Sequence, residues 1–432
     1  MIGQAKPDGY TPAPNLPQSG AWLRGLREAA LVRFQAMGLP QRRDEYWRYT
    51  DPTRLTVAQA ATVSGAGAGA GAGGVVSAAF DAAQALQLVF TDGVFDGAAS
   101  SPDLALDGVE IDHLAEACAH DLHWARDIYG QLETNGQTPV ARPLAAWNTA
   151  MAAQGVLIRV RAAVLRPIQI VYQGTDMQAD LILHHCIRLE EGAQLTLLET
   201  GCSGARSNHV LEVDLGDRAQ FHHLRLQGED AVAARVTHIF AQLGCDSHMR
   251  SFTLSADGAL IRNEAVIEML GADASAHIAG AALGKGRVHH DDTIFVTHGA
   301  PNCESRQVFK KVLRDGAVGV FQGKILVRPV AQKTDGYQIS QALLLDDDAQ
   351  FLAKPELEIY ADDVKCSHGS TTGALDETAL FYLRSRGVGL VQAQALLVLA
   401  FLAEVLEEIE DRDLAALVQT QLEMWLDRQQ TL

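Results

Sequence analysis

The chain has 432 residues, 47% of them hydrophobic and 20% charged, which supports a packed interior and excludes wholesale disorder. Lys and Arg number 35 against 53 Asp and Glu, a formal charge of −18. That balance argues against nucleic acid or an anionic membrane as partner, because phosphate contacts need clustered cations, and the length predicts two or three structural units.

The opening residues, MIGQAKPDGY, lack a basic segment followed by an apolar one, so no secretory signal is expected. Residues 1–152 read as a helical region with loops. Within it Trp22, Leu23, Leu26, Ala29, Ala30 and Phe34 recur at helical spacing, and Gly38 and Pro40 end a helix predicted over Ala21–Met37. RRDEYWRYTDPTRL follows, then a Ser-Gly-Ala stretch at Ser64–Gly74. That stretch offers no side chains to a core and is expected to form a flexible surface loop. Helix-like patterns return at Ile111–Leu122 and Arg142–Ala152.

Residues 153–366 change character. Short runs alternate apolar and polar residues, as in Val156–Val160, Gln194–Leu198 and Phe252–Leu254. Small turns separate them, among them Glu191-Gly192-Ala193, Asp257-Gly258-Ala259, Asp315-Gly316-Ala317 and Asp346-Asp347-Asp348. An acidic–Gly–Ala phrase recurring without intervening helices implies many short strands joined by tight turns. A sandwich, a barrel and a β-helix all satisfy that. Recurrence over about two hundred residues is long for one sandwich and favours a β-helix, whose stacked coils bury a continuous core.

Residues 367–432 read as helical again. Asp376 is a good N-cap for Glu377–Arg386, with Gly387 at the C-terminal side. Further helices are predicted at Leu390–Glu410 and Leu414–Arg428. The first of these is apolar almost all round, so it needs more than one neighbour, inside the chain or on another subunit. Its longest strongly apolar stretch, Ala395–Ala403, is nine residues against the ~20 that span a bilayer, and a cytoplasmic protein is expected.

Tests for chemistry mostly fail. Gly280–Gly286 and Gly323-Lys324 lack the spacing of a phosphate-binding loop. No nucleophile elbow is present, so if ATP drives anything here another protein hydrolyses it. Six cysteines (118, 186, 202, 245, 303 and 366) form no CxxC; they are expected to be buried thiols, and a structural zinc site is not expected. His184-His185-Cys186, His222-His223 and His289-His290-Asp291-Asp292 invite a metal. Neighbours on a strand point to opposite faces, however, so adjacent histidines cannot share one ion. Cys366-Ser367-His368 differs. Continuing the strand of Leu357–Tyr360, it would set a thiolate and an imidazole on one face, a pair suited to Fe²⁺ or an iron–sulfur fragment. Two ligands do not close a site; the residues alone leave a structural role open.

THGAPNCESRQVFKKVL, GVFQGKILV, AQKTDGYQ and KPELEIYADDVKCSHGSTTGALDETALFYLRSRGV occur in order between Thr297 and Val388. This set resembles the C-terminal half of the SufB/SufD family of iron–sulfur cluster assembly proteins. RRDEYWRYTD and the chain length resemble its SufD branch. The resemblance implies a right-handed β-helix between N-terminal and C-terminal helical regions, with no enzyme active site of its own. It implies pairing with SufB through the β-helices and binding of the SufC ATPase through the C-terminal helices. His368, with Cys366 beside it, would face a SufB cysteine and hold iron or a nascent cluster transiently, no cofactor being tightly bound in the isolated chain. Without SufB the same face could form a homodimer. After SRGV the family's polar, Arg-containing turn is replaced by Gly389-Leu390-Val391-Gln392-Ala393-Gln394-Ala395.

Two rivals remain at this point. A β-helix polysaccharide lyase or hydrolase would need paired carboxylates, for which Asp291-Asp292 and Asp346–Asp348 are candidates, and would usually carry more aromatics than the 6% present. A SufB-like paralogue would hold the cluster itself.

Overall fold

The acidic–glycine phrases become the corners of a coiled sheet. The computed structural model describes residues 15–56, 75–174, 176, 178–201, 204–228 and 233–430; the Ser-Gly-Ala stretch and Cys202 lie outside them. At the corners Asp257, Asp273 and Asp315 take φ of 59°, 62° and 56°, and Gly258 and Gly316 follow with φ of 81° and 84°. These left-handed bends suit Gly and, next best, Asp.

Helix α1 (Ala21–Met37) has the predicted bounds, and α2 (Thr53–Thr56) follows. Next come β1 (Leu86–Thr91), β2 (Val94–Phe95), β3 (Val109–His113), α3 (Leu114–Ala117), α4 (Gln131–Asn135) and α5 (Pro143–Met151). Strands then run on as β4 (Val156–Val160), β5 (Ile168–Gln173), β6 (Asp180–Leu189), β7 (Gln194–Gly201), β8 (Arg206–Leu215) and β9 (Gln220–Gln227). They continue through β10 (Ala234–Leu243), β11 (His248–Ala256), β12 (Leu260–Met269), β13 (Ser275–Lys285) and β14 (His289–His298). The last are β15 (Glu304–Arg314), β16 (Val318–Val327), β17 (Asp335–Leu344), β18 (Gln350–Ile359) and β19 (Lys365–Gly373). Helices α6 (Glu377–Ser385), α7 (Leu390–Leu406) and α8 (Arg412–Gln430) close the series.

From β4 onward, odd strands stack in parallel as one wall and even strands as the other; β1 and β2 extend the first to ten strands and β3 extends the second to nine. The result is a β-solenoid of about seven coils. One coil takes 26 residues where Asp180 meets Arg206 and 31 where Gln307 meets Gln338, which is why no clean repeat shows in the sequence. Alternate residues point between the walls. Ile170, Leu197, Val213, Met249, Ile267 and Val296 belong to the one continuous apolar core so formed.

Three expectations need correction, the first being that the helical region begins at 367: β19 carries the solenoid on to Gly373 and that region's first helix starts at Glu377. Ile111–His113 is strand rather than helix, pairing antiparallel with β4, and only Leu114–Ala117 turns helical. The region before residue 152 also supplies β1, which is parallel to β5 with Leu86 opposite Ile168. Both segments are extended because a wall edge offers a ladder of backbone partners, and this overrides local propensity.

The outer faces of the walls are covered as well. Helices α1 and α5 pack together, with Phe34 5.0 Å from Trp147, and lie on the nine-stranded wall. The RRDEYWRYTD segment runs along the same wall: Trp47 receives the Arg262 guanidinium 4.0 Å over its ring, and Tyr46 meets Phe295 at 5.0 Å. Tyr46 Oη also donates to Glu356 on β18 at 2.5 Å, and Lys354 bonds Glu45 at 2.7 Å. On the ten-stranded wall, Val398, Leu402 and Val405 of α7 pack with Val418 and Leu422 of α8 against Leu254, Leu283 and other outward strand residues. Both walls are thus buried on two faces, which explains near-continuous burial along β10 and β12 in place of alternation.

Candidate functional site

Both walls end at edge strands on the C-terminal side, β18 on one and β19 on the other, each paired on one side only. Cys366 and His368 lie on β19. Their strand does not continue the one containing Leu357–Tyr360, as the sequence suggests; the chain turns at residues 360–364 and crosses to the opposite wall. The two-residue spacing still puts both side chains on one face, about 6.6 Å apart along the strand.

That face looks into the solenoid at its open end. Register sets Cys366 beside Gly336 and His368 beside Gln338. Cys366 is half-buried and packs with Leu357 and Val364 on an apolar floor of Ile325, Val327, Ala331 and Ala361. Burial pushes its thiol up, opposed by a backbone hydrogen bond involving Gly336, so the thiolate is better formed against a cation than alone. Beneath His368, Gln338 is fully buried and donates from Nε2 to Gln307 at 2.8 Å. His368 is the exposed end of that inward file. Beside it, Ser370 receives a hydrogen bond from Ser340 at 3.1 Å. A soft ligand and an imidazole therefore sit on an exposed sheet edge, with no third donor from this chain grouped with them among the described residues.

The other histidine pairs divide as strand geometry requires. His184 faces outward and is held by Glu212 at 2.9 Å and Asn148 at 3.0 Å, while His185 faces the core beside Phe90 and Tyr172. His223 is buried between Ser251 and Glu199, 2.8 Å from each. Asp291 and Asp292 also point to opposite faces: Asp291 pairs with Arg262 and Thr50, and Asp292 with Lys311 and Asn263. Buried and neutralised separately, they do not form a carboxylate pair. Asp346 caps its own corner, accepting from the N–H groups of Asp348 and Ala349.

Comparison with known proteins agrees with this architecture. Residues 172–401 match the family described as "SUF system FeS cluster assembly, SufBD core domain", and residues 16–170 match "SufBD protein N-terminal region". The chain belongs to the SufB/SufD family. Like other members, it is a protein of iron–sulfur cluster assembly. Iron-sulfur cluster assembly protein SufD of Escherichia coli is 29% identical over 407 residues, covering 89% of this chain and 88% of the relative. A SufBD family protein of Synechocystis is 27% identical, covering 89% and 86%. SufD of Bacillus subtilis is 28% identical, covering 62% and 63%.

One set of donors in this SufBD chain escapes a residue-by-residue reading. His184, Cys186 and Glu212 place their ligand atoms within 4.8 Å of one another in the interior. The first two stand two residues apart on β6, a spacing that reasoning about adjacent histidines passes over; the third joins them only through the coil register.

Proposed function

We propose that this chain is the SufD-type scaffold subunit of a SufB–SufC–SufD assembly, holding iron or a nascent cluster between its open end and a SufB-type paralogue. The observation that carries this reading is an incomplete ligand pair, Cys366 and His368, on the terminal edge strand of a solenoid. An open strand edge is a template for another sheet, and thiolate with imidazole suits iron while leaving coordination positions for the partner to fill.

The C-terminal helices take the SufC ATPase. Helix α6 buries none of its side chains, and Phe381 and Tyr382 are 74% and 58% exposed. Helix α7, by contrast, is pinned to β15: Lys310 Nζ donates to the Phe401 carbonyl at 2.9 Å and also bonds Glu404. Displacement of the helices by the ATPase is passed to the ten-stranded wall, whose last strand bears the ligand pair.

The test is His368→Ala in the complex with both partners, reading cluster formed in cells. A large loss is expected, and an unchanged yield would remove His368 from the mechanism.

A further inference from the structure

His184 and Cys186 project from the same outward face of β6, and register sets Cys186 opposite Glu212 on β8, one coil later. The start of α4 and the middle of α5 close over them, and all three side chains are fully buried. His184 Nε2 lies 2.9 Å and Cys186 Sγ 3.8 Å from Glu212 Oε2. A tetrahedral ion with bonds of ~2.0–2.1 Å to nitrogen and oxygen and ~2.3 Å to sulfur places N and O about 3.3 Å apart, and S and O about 3.6 Å. The observed separations depart from that geometry by a few tenths of an ångström on either side. The third separation, His184 Nε2 to Cys186 Sγ, is within 4.8 Å.

The surrounding hydrogen bonds decide which atoms are left to bind. Asn148 commits its Nδ2 to the carbonyls of Leu183 at 3.0 Å and Asn208 at 2.7 Å. Its Oδ1 is therefore the atom that meets His184 Nδ1 at 3.0 Å, and it accepts the Nδ1 proton. In the neutral imidazole this leaves Nε2 with its lone pair aimed at a carboxylate oxygen. Two acceptors at that separation need a proton or a metal ion between them. Glu212 is oriented in turn by the N–H groups of Gly130 at 2.6 Å and Glu133 at 2.8 Å. Tyr129 stacks on the imidazole with ring centroids 4.0 Å apart. Each ligand is thus held by a partner that fixes its direction, the arrangement that supports bound metal. A proton on Nε2 would join His184 to Glu212, with the Cys186 thiol as a long, weak donor to the same oxygen at 3.8 Å. A divalent metal engages all three, and its charge offsets one thiolate and one carboxylate.

We propose that His184 Nε2, Cys186 Sγ and the Glu212 carboxylate hold one divalent transition-metal ion, Zn²⁺ or Fe²⁺, pinning the N-terminal helices to the nine-stranded wall. This site is separate from the open end and does not depend on cluster assembly. Cysteine counting passes over it because the ligands sit on two coils and only one of them is a thiol.

The test starts with the full-length chain refolded with Zn²⁺, Fe²⁺ (anaerobically) or Co²⁺, then dialysed and analysed for metal. About one equivalent of ion per chain is expected, with a sulfur-to-cobalt charge-transfer band in the Co²⁺ form. Cys186→Ser and Glu212→Gln should retain below about a tenth of an equivalent, whereas His368→Ala should retain the full amount. Metal content of chain purified without added metal distinguishes zinc from iron as the native occupant. The wild-type measurement stands even if a variant fails to fold. A folded wild-type chain that takes up none of the three ions, and melts identically with and without chelator, would overturn the site.

Discussion

Arg262 lies buried under the Trp47 ring, bonded to Glu264 at 2.6 Å and to Asp291. Arg142 reaches the other Glu264 oxygen at 3.1 Å. Removing one member of such a group strands the others without water. Arg262→Ala should therefore cost about 3–5 kcal/mol in urea unfolding, whereas Arg306→Ala, on a half-exposed pair with Glu304, should cost under about 1 kcal/mol. Burial works to raise the Glu264 carboxyl, but Arg262, His238 and Arg142 hold it well below the ordinary range. Burial also pushes His290 and His298 down to about 4, and His209 to about 3. For all of these the unfolded chain binds protons at a higher pH than the folded one. Stability should be flat above pH ~6.5, the unfolded histidine value, and fall as the buried histidines resist protonation down to about 4. It should fall further below ~4.3 as Glu264 is forced to protonate. Urea midpoints measured across that range check the order; a midpoint independent of pH between 7 and 4 would contradict it.

At the scale of elements, α6 is held mainly by its own start. Asp376 accepts from Thr378 N at 2.8 Å and Ala379 N at 3.1 Å, and no side chain of the helix is buried. Asp376→Ala should cost the helix roughly 1 kcal/mol, seen as faster amide exchange over 377–385 with the global melting temperature unchanged. This cap was legible in the sequence, as were both ends of α1 and most corners, because each depends on residues within one turn of one another. The strands before residue 152 were not. Leu86 is extended because Ile168 is beside it, and nothing near Leu86 says so. Cys366 and His368 were marked by their spacing and by the family resemblance, although they read as continuing the strand of Leu357–Tyr360, which lies on the opposite wall. Glu212 was not, because variable coil length hides which residue follows Cys186 one coil on. RRDEYWRYTD was legible only as a family signature; its physical role, Trp47 covering Arg262 and Tyr46 reaching β18, required the fold.

For the whole molecule, the open end offers the edges through which the proposed association is tested. Terminal strands β18 and β19 leave backbone groups unpaired on both walls. The isolated chain is expected to dimerise reversibly through them, visible by sedimentation over a concentration series, and a SufB-type paralogue should displace the self-pair. A chain that stays monomeric at the highest soluble concentration would count against an exposed docking edge.

The opposite end of the solenoid differs. There β2 is two residues long and runs antiparallel to β1, and β3 runs antiparallel to β4. A stack of parallel coils with two bare ends would add copies head to tail without limit, the geometry of a fibril. Reversing the last strand on each wall, and cutting β2 to two residues, leaves that end a shorter and differently oriented edge for the next copy. The short hairpin after residue 86 therefore disfavours head-to-tail growth of a polymerisable architecture at that end.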